Sequence, residues 1–133
     1  MTIKIDHVAI AVNSLEDAIN LYCEILGLKA EDVKIATREE RHIRTAMLPV
    51  GESMLQLLES TSPEGAVARH IAERGEGMHH LGLEVNDIQA MLEILKEKGV
   101  PLVDTVPRTG HGESKISFLN PKSPNVLIEL VEY

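Results

Sequence analysis

The sequence predicts an α+β fold of two βαβββ modules that together form a cupped eight-stranded sheet. The first observation is an internal repeat, because residues 6–18 (DHVAIAVNSLEDA) match residues 79–91 (HHLGLEVNDIQAM) at an offset of 73 positions. The second is that the same offset, without a gap, aligns residues 54–59 (MLQLLE) with residues 127–132 (LIELVE). A unit of this length exceeds the roughly 20–50 residues of a solenoid repeat, so we interpret it as a duplicated half-domain.

The composition is typical of one folded domain. The chain has 133 residues, of which 44% are hydrophobic and only 2% aromatic, so the core is expected to be aliphatic. We predict a single domain over residues 1–133. Its module one lies at about 1–60, a connecting helix at about 62–75, and module two at about 78–133.

Charge and cysteine content restrict the class of partner. The net charge of −8 disfavours nucleic acid, which needs a basic surface. No apolar run reaches the ~18 residues of a membrane-spanning helix. The single cysteine, Cys23, cannot form a disulfide within the chain, which suits the reducing cytoplasm. We therefore expect a cytoplasmic protein that binds neither nucleic acid nor a membrane.

Each module begins with a strand that leads into a capped helix. Ile3–Val12 and His80–Val85 favour aliphatic residues with a period of two, which predicts strands. Ser14 and Asp87 are favourable helix N-caps, and a glycine follows the apolar stripe of each helix.

Three shorter strands are predicted after each helix. They lie around Lys34–Ile35, Ile43–Pro49 and Ser53–Leu58 in module one, and around Val103, Lys115–Leu119 and Asn125–Val131 in module two. Between the modules, Ser62 and Pro63 are expected to begin a short helix that ends at Gly75.

Four polar residues occupy matching positions in the two modules. His7 corresponds to His80, and Gln56 corresponds to Glu129. Alternate residues of a strand share a face, and aliphatic neighbours of Gln56 and Glu129 would pack under the helices. A pseudo-twofold axis would then bring all four side chains around one point. The predicted sheet therefore surrounds a metal site.

Taken singly, each of these residues has a simpler explanation. A histidine at the start of a strand is usually exposed or hydrogen-bonded, and a Gln or Glu in an alternating strand usually faces solvent. Their common register favours a metal site instead. Two imidazoles, a carboxylate and an amide oxygen, without a thiolate, suit Co²⁺, Mn²⁺, Ni²⁺ or Zn²⁺. His79 has the opposite strand orientation to His80 and is expected at the surface or an interface.

Four segments resemble a known family. DHVAIAV, GMHHLGLEV, KISFLNPKS and VLIELVEY resemble the vicinal-oxygen-chelate superfamily, also called the glyoxalase/bleomycin-resistance fold, and within it the methylmalonyl-CoA epimerase branch. The resemblance covers essentially the whole chain. It implies metal ligands at His7, Gln56, His80 and Glu129, with His80 rather than His79 as the ligand of the pair.

The resemblance also implies an isomerase that epimerises methylmalonyl-CoA by a 1,1-proton transfer through a metal-stabilised enolate. Inversion requires one acid/base group on each face of the enolate. Glu129 is implied as one of them. We choose Glu40 as the other, with Glu39 next. Alignment could instead place Thr45 at this position, and the second base would then be missing.

Two alternatives and several details stay open. A glyoxalase I-like lyase or isomerase acting on a thiol adduct would share the fold, the metal and the proton transfer, whereas a non-catalytic small-molecule-binding member would need no metal. For an acyl-CoA partner, Lys115 and Lys122 are candidate phosphate contacts. The resemblance implies a homodimer, and the spacing does not decide whether the site forms within one chain or between swapped modules.

Overall fold

The strands and helices follow the order that the repeat predicts. The computed structural model describes residues 3–120 and 126–133. The strands are β1 (Ile3–Ala11), β2 (Lys34–Arg38), β3 (Ile43–Val50), β4 (Ser53–Ser60), β5 (Gly77–Val85), β6 (Arg108–Thr109), β7 (Lys115–Leu119) and β8 (Leu127–Glu132). The helices are α1 (Leu15–Leu26), α2 (Ala66–Arg74) and α3 (Ile88–Glu97).

All eight strands belong to one sheet, in the order β2-β3-β4-β1-β5-β8-β7-β6. β5 and β8 are parallel, whereas the neighbouring pairs β2–β3, β3–β4 and β7–β8 are antiparallel. Each module has one strand, one helix and three further strands. The predicted α+β class with two βαβββ modules is therefore confirmed.

The chain divides into two compact units. One contains the residues up to His7 together with His80–Tyr133, and the other is Val8–His79. The division falls inside β1, so the first residues of β1 group with module two. The single-domain prediction stays a prediction.

The two long helices begin in the same way, as the repeat predicts. The Ser14 side chain accepts a hydrogen bond from the backbone N–H of Asp17, and the Asp87 side chain accepts one from Ala90. A strand carboxylate provides a second cap in each module. In module one, Glu59 accepts a hydrogen bond from the Leu15 amide at 2.9 Å. In module two, its repeat counterpart Glu132 accepts one from the Ile88 amide at 2.8 Å.

Each unit has its own aliphatic core. In the Val8–His79 unit, α1 packs on β3 and β4 through the fully buried Leu15, Leu48 and Leu57. α2 covers a second cluster on β1 and β4 that includes Leu58 and Val67. In the other unit, α3 packs on the odd-numbered residues of β5 and β7 and the even-numbered residues of β8. No helix within the described residues is long and apolar enough to cross a membrane.

The predicted start of the connecting helix was wrong. α2 begins at Ala66, four residues after Ser62, and Gly65 is its N-cap. The reason is a competing turn: the Ser62 side chain accepts from the Glu64 amide at 3.2 Å, and the Ser62 carbonyl accepts from the Gly65 amide at 3.1 Å. A serine hydroxyl can cap a tight turn as well as a helix.

The predicted strand around Val103 was also wrong. The structure has only a single bridge there, between Leu102 and Leu119, and the described sheet edge is the two-residue β6. Two backbone hydrogen bonds and one side-chain hydrogen bond to Phe118 hold this segment in place of a regular ladder. Both the Val103 and Asp104 amides donate to the Phe118 carbonyl, while the Asp104 carboxylate accepts from the Phe118 amide at 2.9 Å.

Candidate metal centre

Three of the four predicted ligands converge in one compact unit. His7 lies on β1, His80 on β5 and Glu129 on β8, and these strands are neighbours in the sheet. The three residues are 1%, 5% and 8% exposed, so their polar groups are removed from bulk water. Their donor atoms all lie within 4.8 Å of one another.

The alternation of side chains explains why these ligands share a face. Leu83, Ile128 and Leu130 belong to the cluster under α3. The residues directly before and after each of them in its strand therefore lie on the opposite face of the sheet. Glu129 lies between two of these residues, and its partner in the parallel β5–β8 ladder is Gly82. Glu129 therefore faces away from α3, as predicted.

Gly82 leaves the space in which the His7 ring lies. A Cβ atom at this position would lie 2.6 Å from His7 Nε2 and closer still to other ring atoms. Real Cβ atoms do not approach neighbours so closely, so any side chain here would displace the imidazole. The small residue at position 82 is thus a requirement for the ligand geometry.

The donor atoms are spaced for one cation. His7 Nε2 lies 3.0 Å from His80 Nε2 and 3.1 Å from Glu129 Oε1, and the remaining separation, from His80 Nε2 to Glu129 Oε1, is 3.9 Å. A point about 2.0 Å from all three atoms satisfies these separations, and this is the length of a zinc–nitrogen or zinc–oxygen bond. Two imidazoles and a carboxylate also have the chemistry that such an ion requires.

Asp6 orients the His7 ring. Its carboxylate lies 2.6 Å from His7 Nδ1 and accepts a second hydrogen bond, from the Tyr133 hydroxyl, at 2.8 Å. An ionised carboxylate only accepts, so Nδ1 carries the proton and the Nε2 lone pair of the neutral ring faces the other donors. Burial and the hydrogen bond to Asp6 raise the pKa of the Tyr133 hydroxyl.

The same surroundings favour a charged His7 when no cation is bound. Burial acts to lower the pKa of His7, but hydrogen bonds to Asp6 and Glu129, with their negative charges, outweigh it and raise the pKa from 6.5 to about 9. A concentration of negative charge that stabilises a proton here would also stabilise a metal cation.

Phe118 forms a wall beside the second histidine. It is the antiparallel partner of Glu129 on β7, and its ring meets the His80 ring edge to face with centroids 5.5 Å apart. This contact restricts rotation of the His80 imidazole.

Gln56, the fourth predicted ligand, lies in the other unit. It is half-buried on β4, opposite Met47 of β3. Its neighbours Leu55 and Leu57 pack in the cluster under α1, so Gln56 is on the sheet face away from α1, as predicted. Its role as a ligand stays a prediction.

Glu40, the predicted second base, lies in a short 3₁₀ turn formed by Glu39–Arg41. Its side chain is 66% exposed and lies 3.7 Å from Arg38 Nη1. Glu39 is exposed as well. Thr45 is half-buried on β3 opposite Leu58, which places it on the same face as Gln56. The catalytic role of Glu40, or of Glu39 in its place, stays a prediction, and so does the alternative alignment in which Thr45 takes this position.

His79 has no place in the ligand group. Its ring packs against that of His70, with centroids 4.8 Å apart. Burial, with the charges of His70 and Arg74, lowers the pKa of His79 from 6.5 to about 4. The choice of His80 over His79 agrees with this geometry.

Lys115 does not face the candidate centre. It pairs with Glu132 across β7 and β8, and its ammonium lies 3.7 Å from the carboxylate that caps α3. The expected phosphate contact is therefore not supported, because alternation places Lys115 on the helix side of the sheet. Lys122 lies outside the described residues.

Neither Asp6 nor Gly82 was singled out from the sequence as a residue of the site. Asp6 directly precedes a predicted ligand, and a carboxylate is a common partner for the outer nitrogen of a metal-binding histidine. Gly82 is the repeat counterpart of Ala9, so both modules have a small residue two positions after the histidine.

Several relatives of known activity are epimerases. The mitochondrial methylmalonyl-CoA epimerase of Dictyostelium discoideum is 30% identical over 131 residues, which cover 97% of this chain and 78% of that protein. An uncharacterised Bacillus subtilis protein is 34% identical, covering 97% and 91%. Methylmalonyl-CoA epimerase of Streptomyces coelicolor, solved with 2-nitronate-propionyl-CoA, is 36% identical, with a TM-score of 0.88 and coverage of 97% and 93%. The predicted enzyme class, an epimerase, is confirmed.

The match extends to a whole family. Residues 4–130 fit the profile of the glyoxalase/bleomycin resistance protein/dioxygenase superfamily. This range includes all four predicted ligands and nearly all of both βαβββ modules. The chain therefore belongs to the glyoxalase/bleomycin resistance protein/dioxygenase superfamily.

Proposed function

We propose that this protein is a divalent-metal-dependent epimerase that inverts the α-carbon of methylmalonyl-CoA by a 1,1-proton transfer. The observation that carries the proposal is the group of buried donors formed by His7, His80 and Glu129. The activity of the relatives supports the substrate, since one similar solved structure is a methylmalonyl-CoA epimerase in complex with methylmalonyl-CoA.

The repeat register suggests Gln56 as the fourth ligand, together with the three convergent residues. A bound dication, which could be Co²⁺, Mn²⁺, Ni²⁺ or Zn²⁺, would draw electron density from the thioester and carboxylate oxygens and so make the α-proton more acidic. The side chains contribute orientation: Asp6 holds the His7 ring, and Phe118 restricts the His80 ring. One carboxylate among neutral ligands would leave such a site with a positive charge that attracts an anionic substrate.

Glu129 and Glu40 are proposed as the two acid/base groups. Glu129 is a buried carboxylate beside both histidines, so a substrate whose acyl end is held by the metal would lie within its reach. We propose that Glu129 exchanges a proton with one face of the α-carbon. Glu40, in the turn before β3, would exchange a proton with the other face. Glu39 is the alternative to Glu40.

Deuterium exchange tests the activity. The protein is incubated with methylmalonyl-CoA in deuterated water, and loss of the α-proton is followed by NMR. Exchange that stops with a chelator and returns with Co²⁺ is the expected result. Turnover of a hemithioacetal without exchange at the α-carbon would indicate a glyoxalase I-like enzyme, and tight ligand binding without metal would indicate a binding protein. Either result would overturn the proposal.

Matched variants test the second base. Glu40→Gln should lower the exchange rate of one stereoisomer at least a hundredfold, while Glu39→Gln, a neighbour of equal charge, should keep most of it. If the effects are reversed, Glu39 is the base. If both variants exchange at the normal rate, the second base lies elsewhere.

The assembly and location are further parts of the proposal. From the single cysteine we propose a cytoplasmic location, and from the resemblance alone a homodimer. Analytical ultracentrifugation of the metal-loaded protein should give twice the chain mass, and a monomer across the micromolar range would contradict it.

A further inference from the structure

Arg108 lies on the same face of the sheet as the candidate metal ligands. It pairs with Ile116 across β6 and β7, and Ile116 pairs with Val131 across β7 and β8. Paired residues of neighbouring strands project from the same face, and Val131 is two positions from Glu129. The Arg108 side chain therefore projects from the face that carries Glu129.

One aromatic ring links Arg108 to the centre. The guanidinium carbon lies 5.4 Å from the centroid of the Phe118 ring. The same ring meets the His80 imidazole with centroids 5.5 Å apart. A cation held on the ring in this way lies no more than about 11 Å from the His80 imidazole.

Arg108 is anchored and still has donors to offer. Its Nε donates to Asp104 at 3.3 Å, and Asp104 is itself held by the Phe118 amide at 2.9 Å. This bond uses one of the five N–H donors of the guanidinium. The side chain is 48% exposed, so a ligand can reach it. Such a half-buried, pre-oriented fork is suited to carboxylate and phosphate groups.

Lys115, which the described part of this region also contains, faces elsewhere. Lys115 lies on the helix side, where it pairs with Glu132. Among the described strands β6 to β8, Arg108 is therefore the basic side chain on the face of the metal ligands. The protein carries a net charge of −8, so the overall charge does not attract an anionic ligand, and a local cation such as Arg108 would have to do so.

We propose that Arg108 binds an anionic oxygen group of the acyl-CoA substrate, either its carboxylate or a phosphate of its CoA, when the acyl end lies at the centre. This inference rests on the proposed function. Arg108 contributes a charge-assisted hydrogen bond from a fork that Phe118 and Asp104 hold in place.

Three thioesters separate the two anionic groups. Methylmalonyl-CoA has both the carboxylate and the phosphates, propionyl-CoA has only the phosphates, and the methylmalonyl thioester of N-acetylcysteamine has only the carboxylate. Their dissociation constants are measured by calorimetry on metal-loaded wild-type protein and on Arg108→Gln, Arg108→Lys and Arg69→Gln. Arg69→Gln removes an exposed arginine of α2 and controls for net charge.

Arg108→Gln should weaken the binding of methylmalonyl-CoA at least tenfold, as expected for the loss of one charged hydrogen bond. If binding of the N-acetylcysteamine thioester weakens equally and binding of propionyl-CoA is unchanged, Arg108 binds the carboxylate. If binding of propionyl-CoA weakens and binding of the N-acetylcysteamine thioester is unchanged, Arg108 binds a phosphate. The affinity of Arg108→Lys should lie between those of the wild-type protein and Arg108→Gln, because lysine keeps the positive charge but lacks the forked guanidinium.

Two results would overturn the role of Arg108. One is an effect no larger than that of Arg69→Gln, and the other is equal weakening of all three thioesters, since that loss would not depend on an anionic group. The deuterium exchange assay on the wild-type protein comes first. If it shows no exchange, the proposed function fails, and the Arg108 role falls with it. If exchange occurs and binding to Arg108→Gln is unchanged, only the Arg108 role fails.

Discussion

The metal-free protein should lose stability as the pH rises from 7 to 9. The pKa of His7 is about 9 in the folded state, against 6.5 for an unperturbed histidine. Between these values the folded state holds one proton more than the unfolded state, so the free energy of unfolding falls as pH rises. The full contribution of the protonated His7 is present below pH 6.5 and is lost above pH 9.

The size of the effect follows from the width of this window. One additional proton changes the free energy of unfolding by about 1.4 kcal/mol per pH unit, so the whole window corresponds to about 3 kcal/mol. From pH 7 to 8.5 the loss is about 2 kcal/mol. For a chain of this size that corresponds to a decrease of roughly 6–10 °C in Tm.

Metal should reverse this dependence. A cation that takes the place of the His7 proton competes with it, so metal affinity should rise up to about tenfold per pH unit below pH 9. The metal-saturated protein should therefore not lose stability between pH 7 and 8.5. His79 contributes little to the measurement above pH 7.5, because its lowered pKa of about 4 keeps it neutral in the folded state and an ordinary histidine is largely neutral there in the unfolded state.

Urea unfolding followed by circular dichroism, in chelator and at half-unit pH steps, measures the effect. Asp6→Asn removes the carboxylate bonded to His7 Nδ1 and should flatten the slope. Asp17→Asn, an exposed carboxylate of α1, should leave it unchanged. A free energy of unfolding that stays level from pH 7 to 9 in the wild-type protein would refute the arrangement of Asp6 and Glu129 around His7.

Three further predictions concern single residues. Gly82→Ala should weaken Co²⁺ binding at least tenfold in calorimetry, because its Cβ would displace the His7 ring, and unchanged affinity would contradict this. Glu59→Ala should lower the free energy of unfolding by about 1–3 kcal/mol, since the Leu15 amide loses its acceptor; urea unfolding would show no loss if this cap is unimportant. His79→Gln should shift acid unfolding to lower pH, because His79 with its pKa near 4 takes up a proton more readily when unfolded; an unmoved midpoint would argue against its burial.

Local chemistry explains why many elements could be predicted. Ser14 and Asp87 cap their helices in the structure as in the prediction, because an N-cap bond joins residues three positions apart. The faces of Gln56 and Glu129 were predicted for a similar reason. A strand has a period of two, so the aliphatic neighbours determine the direction of the polar residue between them.

The errors arose where side chains compete with backbone patterns. Ser62 formed a turn in place of a helix start, and Asp104 replaced a ladder around Val103 with hydrogen bonds to Phe118. A serine can cap a turn or a helix, and an aspartate next to a strand can bond the backbone of its neighbour, so the residue types do not distinguish the observed conformations from the predicted ones. The choice between them depends on which distant backbone groups are available, and sequence spacing does not contain that information.

The sequence by itself determined the modules, the helix caps and the side of each strand that carries a polar residue, since all of these depend on neighbours within a few positions. Only the tertiary structure decided that β1, β5 and β8 lie side by side and bring His7, His80 and Glu129 within reach of one ion. The need for Gly82 and the contact of Arg108 with Phe118 were decided there as well. These features depend on pairing between strands that are far apart in the chain, and that pairing is set by the packing of the whole sheet.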